Sequence, residues 1–127
     1  MSEDNRRGLL VTAYQVAEEF ACAQRWADAV AALAPFLATV ESEHPYVLFV
    51  RAKLGGWLGE AERIDEAIVV LRGVAKAMER EQGSGHPNTL AVRSNLAYWL
   101  SIADPPRADE AVAIARDVLA IHTRTFG

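Results

Sequence analysis

The chain is 127 residues long, enough for one domain, and its 51% apolar and 24% charged content is that of a folded globular protein rather than a disordered or collagen-like one. Thirteen Lys and Arg against 17 Asp and Glu give a net charge of −4, the wrong sign for general attraction to phosphates, so no nucleic-acid partner is expected. No apolar run approaches the ~20 residues of a membrane span, and the acidic opening Ser2-Glu3-Asp4 is unlike a secretory leader, so no membrane partner is expected either.

The single cysteine, Cys22, can form no disulfide within the chain. With only three histidines it offers no structural zinc site, and a reducing, cytoplasmic setting suits it. Alanine, the best helix former, is abundant and short β-branched runs between turns are few, so an all-α chain is expected.

An internal repeat orders the helices. His44-Pro45 recurs 42 residues later as His86-Pro87, and a third copy would begin just past Gly127, so the chain is expected to stop on a repeat boundary. Out of phase with this pair runs Arg25-Trp26-Ala27-Asp28-Ala29-Val30, repeated as Arg63-Ile64-Asp65-Glu66-Ala67-Ile68 and Arg107-Ala108-Asp109-Glu110-Ala111-Val112. Three units result, near residues 5–43, 44–85 and 86–127 of one domain over 1–127, each with a helix A and a helix B.

In unit one, helix A presents Leu9, Leu10, Ala13, Val16, Ala17 and Phe20, and helix B presents Val30, Leu33, Phe36 and Leu37. Pro35 removes a backbone bond there, so this B helix is expected to kink or end early. Helix A of unit two spans about Pro45 to Glu60 with Val47, Val50, Leu54, Trp57 and Leu58 inward. Gly55-Gly56 either loosens it, at about 1 kcal/mol per glycine, or admits a bulky neighbour. Its helix B carries Ile68, Leu71, Val74 and Met78. After Gly83-Ser84-Gly85, unit three offers Leu90, Leu96, Trp99 and Leu100 on A and Val112, Ala115, Val118 and Leu119 on B, joined by a turn two residues longer at Asp104-Pro105-Pro106.

Proline at a first helical position sacrifices no useful bond, so both His-Pro pairs mark A-helix starts. The acidic residues opening each B helix face the positive end of its dipole. Small residues at matched positions, Ala17, Gly55 and Ala97 on A and Ala29, Ala67 and Ala111 on B, allow close approach of paired helices.

Gly85-His86-Pro87-Asn88-Thr89-Leu90, Asn95-Leu96-Ala97-Tyr98 and Ala108-Asp109-Glu110-Ala111 together resemble the tetratricopeptide (TPR) repeat, in its 42-residue kinesin-light-chain-like form found in bacterial multidomain regulators. The resemblance runs from about Leu9 to Gly127. It implies a right-handed superhelical solenoid of three helical hairpins, six antiparallel helices, working as a protein-protein interaction module with a concave groove lined by A helices.

The resemblance carries groove positions onto Tyr14 and Glu18 in unit one, Phe49, Ala52 and Lys53 in unit two, and Ser94, Asn95, Tyr98 and Ser101 in unit three. An amide at Asn95 can both donate to and accept from a ligand backbone, and Tyr14 and Tyr98 add amphipathic contact area. A peptide segment or a partner helix is the expected ligand.

No enzyme is expected. His44 and His86 are helix-start residues, His122 lies in a polar stretch, and Cys22 has no repeated histidine partner. The neighbours Glu18-Glu19 and Asp109-Glu110 point about 100° apart on a helix, and no glycine-rich phosphate loop follows a strand. No cofactor or metal is implied. Because no polar capping helix follows the last unit, Val112, Val118, Leu119 and Ile121, or Leu100 and Ile102 beside them, are expected to lie open to water, and the chain is expected either to form a homo-oligomer through this unit or to be a segment of a longer array. The rival readings are a regulatory or sensor segment of a larger signalling ATPase or transcription regulator, a self-associating adaptor, and an enzyme or small-molecule receptor built on the same scaffold.

Overall fold

The nitrogen that a proline lacks is one that a helix start cannot use, and both His-Pro pairs open helices for that reason. His44 Nδ1 accepts from the Tyr46 backbone N–H at 3.1 Å and His86 Nδ1 from that of Asn88 at 3.0 Å, so each histidine also serves as the cap. A computed structural model describes all residues, Met1–Gly127. It holds six helices: α1 (Glu3–Cys22), α2 (Trp26–Leu37), α3 (Pro45–Glu60), α4 (Ile64–Gln82), α5 (Pro87–Ile102) and α6 (Ala108–Phe126). None is long and apolar enough to cross a membrane.

The helices pair as hairpins α1–α2, α3–α4 and α5–α6, which stack in chain order through α2 on α3 and α4 on α5. Along the A row the backbones of α1 and α3, and of α3 and α5, also approach closely, whereas those of α2, α4 and α6 do not. Closer spacing along the A row bends the array toward that side, so α1, α3 and α5 line the inner face.

Small residues set the spacing. Ala17, Ala29, Ala67, Ala97 and Ala111 are buried, and a Cβ added to Gly55 would lie 2.6 Å from Leu71. Gly55 of the double glycine therefore admits a bulky neighbour, whereas Gly56 has open space around it, and α3 runs through both without a break. Gly59 does the same for Trp99, whose ring would stand 2.3 Å from an added Cβ.

A continuous core runs from Leu10 in α1 through Leu33, Val50, Leu71 and Leu100 to Ala111 in α6, and a separate small cluster joins Leu90 to Val118 and Ile121. Three expectations need correction. On α1 the buried stripe is Leu10, Ala13, Ala17 and Ala21, so Leu9 and Val16 face solvent, because α1 has a row neighbour on one side only. Phe36 is exposed, since α2 stops at Leu37, two residues after Pro35. Val118 and Ile121 are not open to water: α6 turns them onto Leu90 of α5, and only Val112 and Leu119 of the expected α6 patch are exposed.

The A-to-B turns close alike. Gln24 (φ 59°) and Glu62 (φ 66°) take the left-handed conformation, and Arg25 N–H donates to Phe20 O and Arg63 N–H to Leu58 O, each at 2.9 Å. The longer third turn reaches the same end, with Arg107 N–H on Leu100 O at 2.9 Å. Arg25 then pairs with Asp28 and Arg63 with Glu66, while Glu110 pairs with Arg72 of α4 and ties two units together. That guanidinium holds the Glu110 carboxyl below its ordinary range.

Candidate functional site

Two open cavities lie against α3 and α5. One, of about 180 Å³, is lined by Phe49, Ala52, Lys53, Met78, Asn88, Ala91, Val92 and Asn95. The other, of about 400 Å³, lies toward the A-to-B turns and is bordered by Trp26, Ala52, Lys53, Gly56, Trp57, Glu60, Asn95, Tyr98 and Trp99. They share Ala52, Lys53 and Asn95, so those residues form a ridge between two compartments of one groove.

Five expected groove residues therefore meet. Phe49 lines the smaller compartment, Tyr98 the larger, and Ala52, Lys53 and Asn95 both. The i, i+4 spacing of Phe49 and Lys53 puts them on one face of α3, with Lys53 Nζ 5.5 Å above the Phe49 ring. Tyr98 is 55% exposed and meets the buried Trp99 edge to face, with ring centroids 4.8 Å apart, so a rigid base leaves its outer side open.

The other expected residues sit differently. Tyr14 packs between units: its ring stacks on Trp57 at 5.9 Å and meets Phe49 and Tyr46 edge to face. Its hydroxyl donates to Glu18 Oε2 at 2.6 Å. Burial, then this carboxylate, pushes the Tyr14 phenol well above its ordinary range, and burial with Glu18 nearby pushes Tyr46 the same way. Tyr14 and Glu18 thus bind each other and border neither cavity. Ser94 is exposed but lines neither compartment. Ser101 Oγ donates to its own helix at Tyr98 O, 2.6 Å.

Sequence reasoning missed Trp26, Glu60, Asn88 and Met78 as lining residues and placed Trp57 and Trp99 only in the core. A signal existed for Glu60, which lies seven residues after Lys53 and hence two turns along the same face of α3. For Trp26 there was none, since it reaches the groove from α2. No group of three or more His, Cys, Asp or Glu side chains gathers where a metal ion could sit.

The arrangement, three stacked helical hairpins with an open groove on the A row, is that of an all-α helical-repeat scaffold. The solved structures it resembles are of TPR-like repeats. It superposes on the nearly identical TPR-like repeats of a Podosopora anserina kinesin light chain with a TM-score of 0.78 and 25% identity, over 93% of this chain and 57% of that one. For a point variant of the same protein the values are 0.75 and 27%, over 91% and 56%. The chain thus spans somewhat over half the length of these relatives. No protein-family model and no curated protein matches the sequence. The TPR-like fold is in general a protein-interaction module and typically a non-catalytic scaffold.

Proposed function

We propose that this chain is a non-catalytic TPR adaptor that docks a peptide segment or a partner helix in the groove between α3 and α5. The observation that carries this reading is the pair of open cavities joined by the ridge of Ala52, Lys53 and Asn95. An apolar floor beside unspent polar groups is what a docking groove needs. Asn95 supplies a donor and an acceptor to a ligand backbone, Lys53 a flexible ammonium, and Phe49 and Tyr98 contact area at either end. Tyr14 and Glu18 brace the rim, and Ser94 lies beyond it. The proposal takes residues 1–127 as one domain of three units, 5–43, 44–85 and 86–127, acting in a bacterial cytoplasm without a nucleic-acid or membrane partner.

Self-association is the second reading. Val112 and Leu119 of α6 are 47% and 66% exposed and offer apolar surface to a second copy, with Val118 and Ile121 packed beneath that face.

The test is affinity capture of partners by the purified chain, repeated with Asn95→Ala and Tyr98→Ala. Both side chains are exposed, so helicity by circular dichroism should stay constant while partner recovery drops several-fold. Unchanged recovery with both variants removes the groove reading.

A further inference from the structure

All three tryptophans of the chain wall the larger compartment, with Tyr98 at its margin and Glu60 as its carboxylate. None of the chain's ion pairs includes Glu60 or Lys53. The Lys53 ammonium does not neutralise Glu60, because the two positions stand two turns apart on α3, ~10.5 Å along its axis, and Lys53 Nζ leans over Phe49. The last turn of α3 contains no basic residue, so the negative end of the helix dipole adds to the field of Glu60. Aromatic walls, a free carboxylate and a helix C-terminus all favour a cation. Arginine fits best, since its planar, weakly hydrated guanidinium can stack on rings and pair with a carboxylate at once.

The smaller compartment lies mainly among Phe49, Met78, Ala91 and Val92, with Lys53 its one charged lining residue, and suits an aliphatic side chain. Along α3 it spans Phe49 to Lys53, and the larger one spans Ala52 to Glu60. Their centres, near residues 51 and 56, are therefore offset by ~7.5 Å along the axis, somewhat more than one helical turn. Side chains two residues apart on one side of an extended chain are ~6.6 Å apart.

We propose, on the groove reading above, that the ligand is an extended segment with an aliphatic side chain two residues from an arginine. The guanidinium enters the tryptophan-walled compartment against Glu60, the aliphatic side chain fills the other, and Asn95 meets the backbone between them.

The probes are blocked pentapeptides, acetyl-Gly-Leu-Ser-Arg-Gly-amide and the same peptide with leucine and arginine exchanged, each paired with a version carrying neutral, isosteric citrulline in place of arginine. Binding to the full chain is read by tryptophan fluorescence and by calorimetry. In at least one order the arginine peptide should bind saturably, about tenfold tighter than its citrulline twin, with that preference shrinking as salt is raised. Glu60→Gln, an exposed and conservative change, should abolish the preference. Equal affinity for arginine and citrulline peptides, lost in both cases with Asn95→Ala, overturns the arginine subsite and leaves the groove standing. Absence of saturable binding by any of the peptides overturns both.

Discussion

The two junctions between successive hairpins perform the same task with different chemistry. Where α2 meets α3, the B helix stops at Leu37, and an open cleft of about 340 Å³ remains beside Leu37, Val40, Leu54 and Val70. The connecting segment is held by Arg51, which donates to Val40 O at 2.5 Å and Ser42 O at 3.1 Å. Where α4 meets α5, the B helix continues to Gln82 and brings Met78 into the core, while the Trp99 ring presses on Gly59 of α3. The Arg93 side chain, only 15% exposed, reaches Glu79 and Asp117 from the middle of that junction. A long B helix builds a mainly apolar joint, with the Arg93 ion pairs set into it. A short one leaves backbone carbonyls that a guanidinium must satisfy.

Breaking the apolar joint should have the largest effect. Trp99→Ala removes a buried ring from a site that Gly59 cannot refill, and unfolding in urea should show a loss of about 3–5 kcal/mol. In hydrogen exchange, α5 and α6 should lose protection first, since the row is held by neighbour contacts alone. Uniform loss across all six helices would show that the chain unfolds as one unit and that the junctions are not separable.

The polar joint should yield less. Arg51→Ala takes one donor from two carbonyls, which water can partly replace, so about 1–2 kcal/mol is expected. The weakened exchange protection should be confined to α1 and α2. An effect as large as that of Trp99→Ala would mean that the polar joint carries as much stability as the apolar one.

This contrast was half written in the sequence. Pro35 announced the short α2, and the His-Pro pairs, the Arg-x-x-Asp/Glu run and the matched alanines placed all six helices, because each is a local signal with a local cause. Gly55 was legible as a choice between loosening and close approach, and Leu71 decided it. Arg51 and Arg93 were not legible: their partners lie on other elements, and nothing in the spacing of an arginine reveals which carbonyl or carboxylate it will reach. The groove divides the same way. Phe49, Ala52, Lys53, Asn95 and Tyr98 were implied by the resemblance to the TPR repeat, whereas Trp26 arrives from a different helix. Tyr14 carries the right register, yet it is drawn into the joint between α1 and α3 by three aromatic neighbours.

That displacement gives the smallest predicted effect, and it sharpens the account of the first junction. The Tyr14 phenol is raised in the folded chain by burial and by its bond to Glu18. Its stabilising contribution is complete below the unfolded tyrosine pKa of about 10. Above that pH the unfolded chain gives up this proton first while the folded chain retains it, so stability declines as pH rises. Tyr14→Phe should flatten part of the decline between pH 10 and 12 in urea titrations. A residual slope should remain from Tyr46, which is raised in the same way. Near neutral pH the variant should unfold almost as the parent does, because the lost hydroxyl bond is solvent-accessible while the ring contacts remain. If the alkaline slope were identical in variant and parent, Tyr14 would be ionising as freely in the folded chain as in the unfolded one, and neither partial burial nor Glu18 would be acting on the phenol.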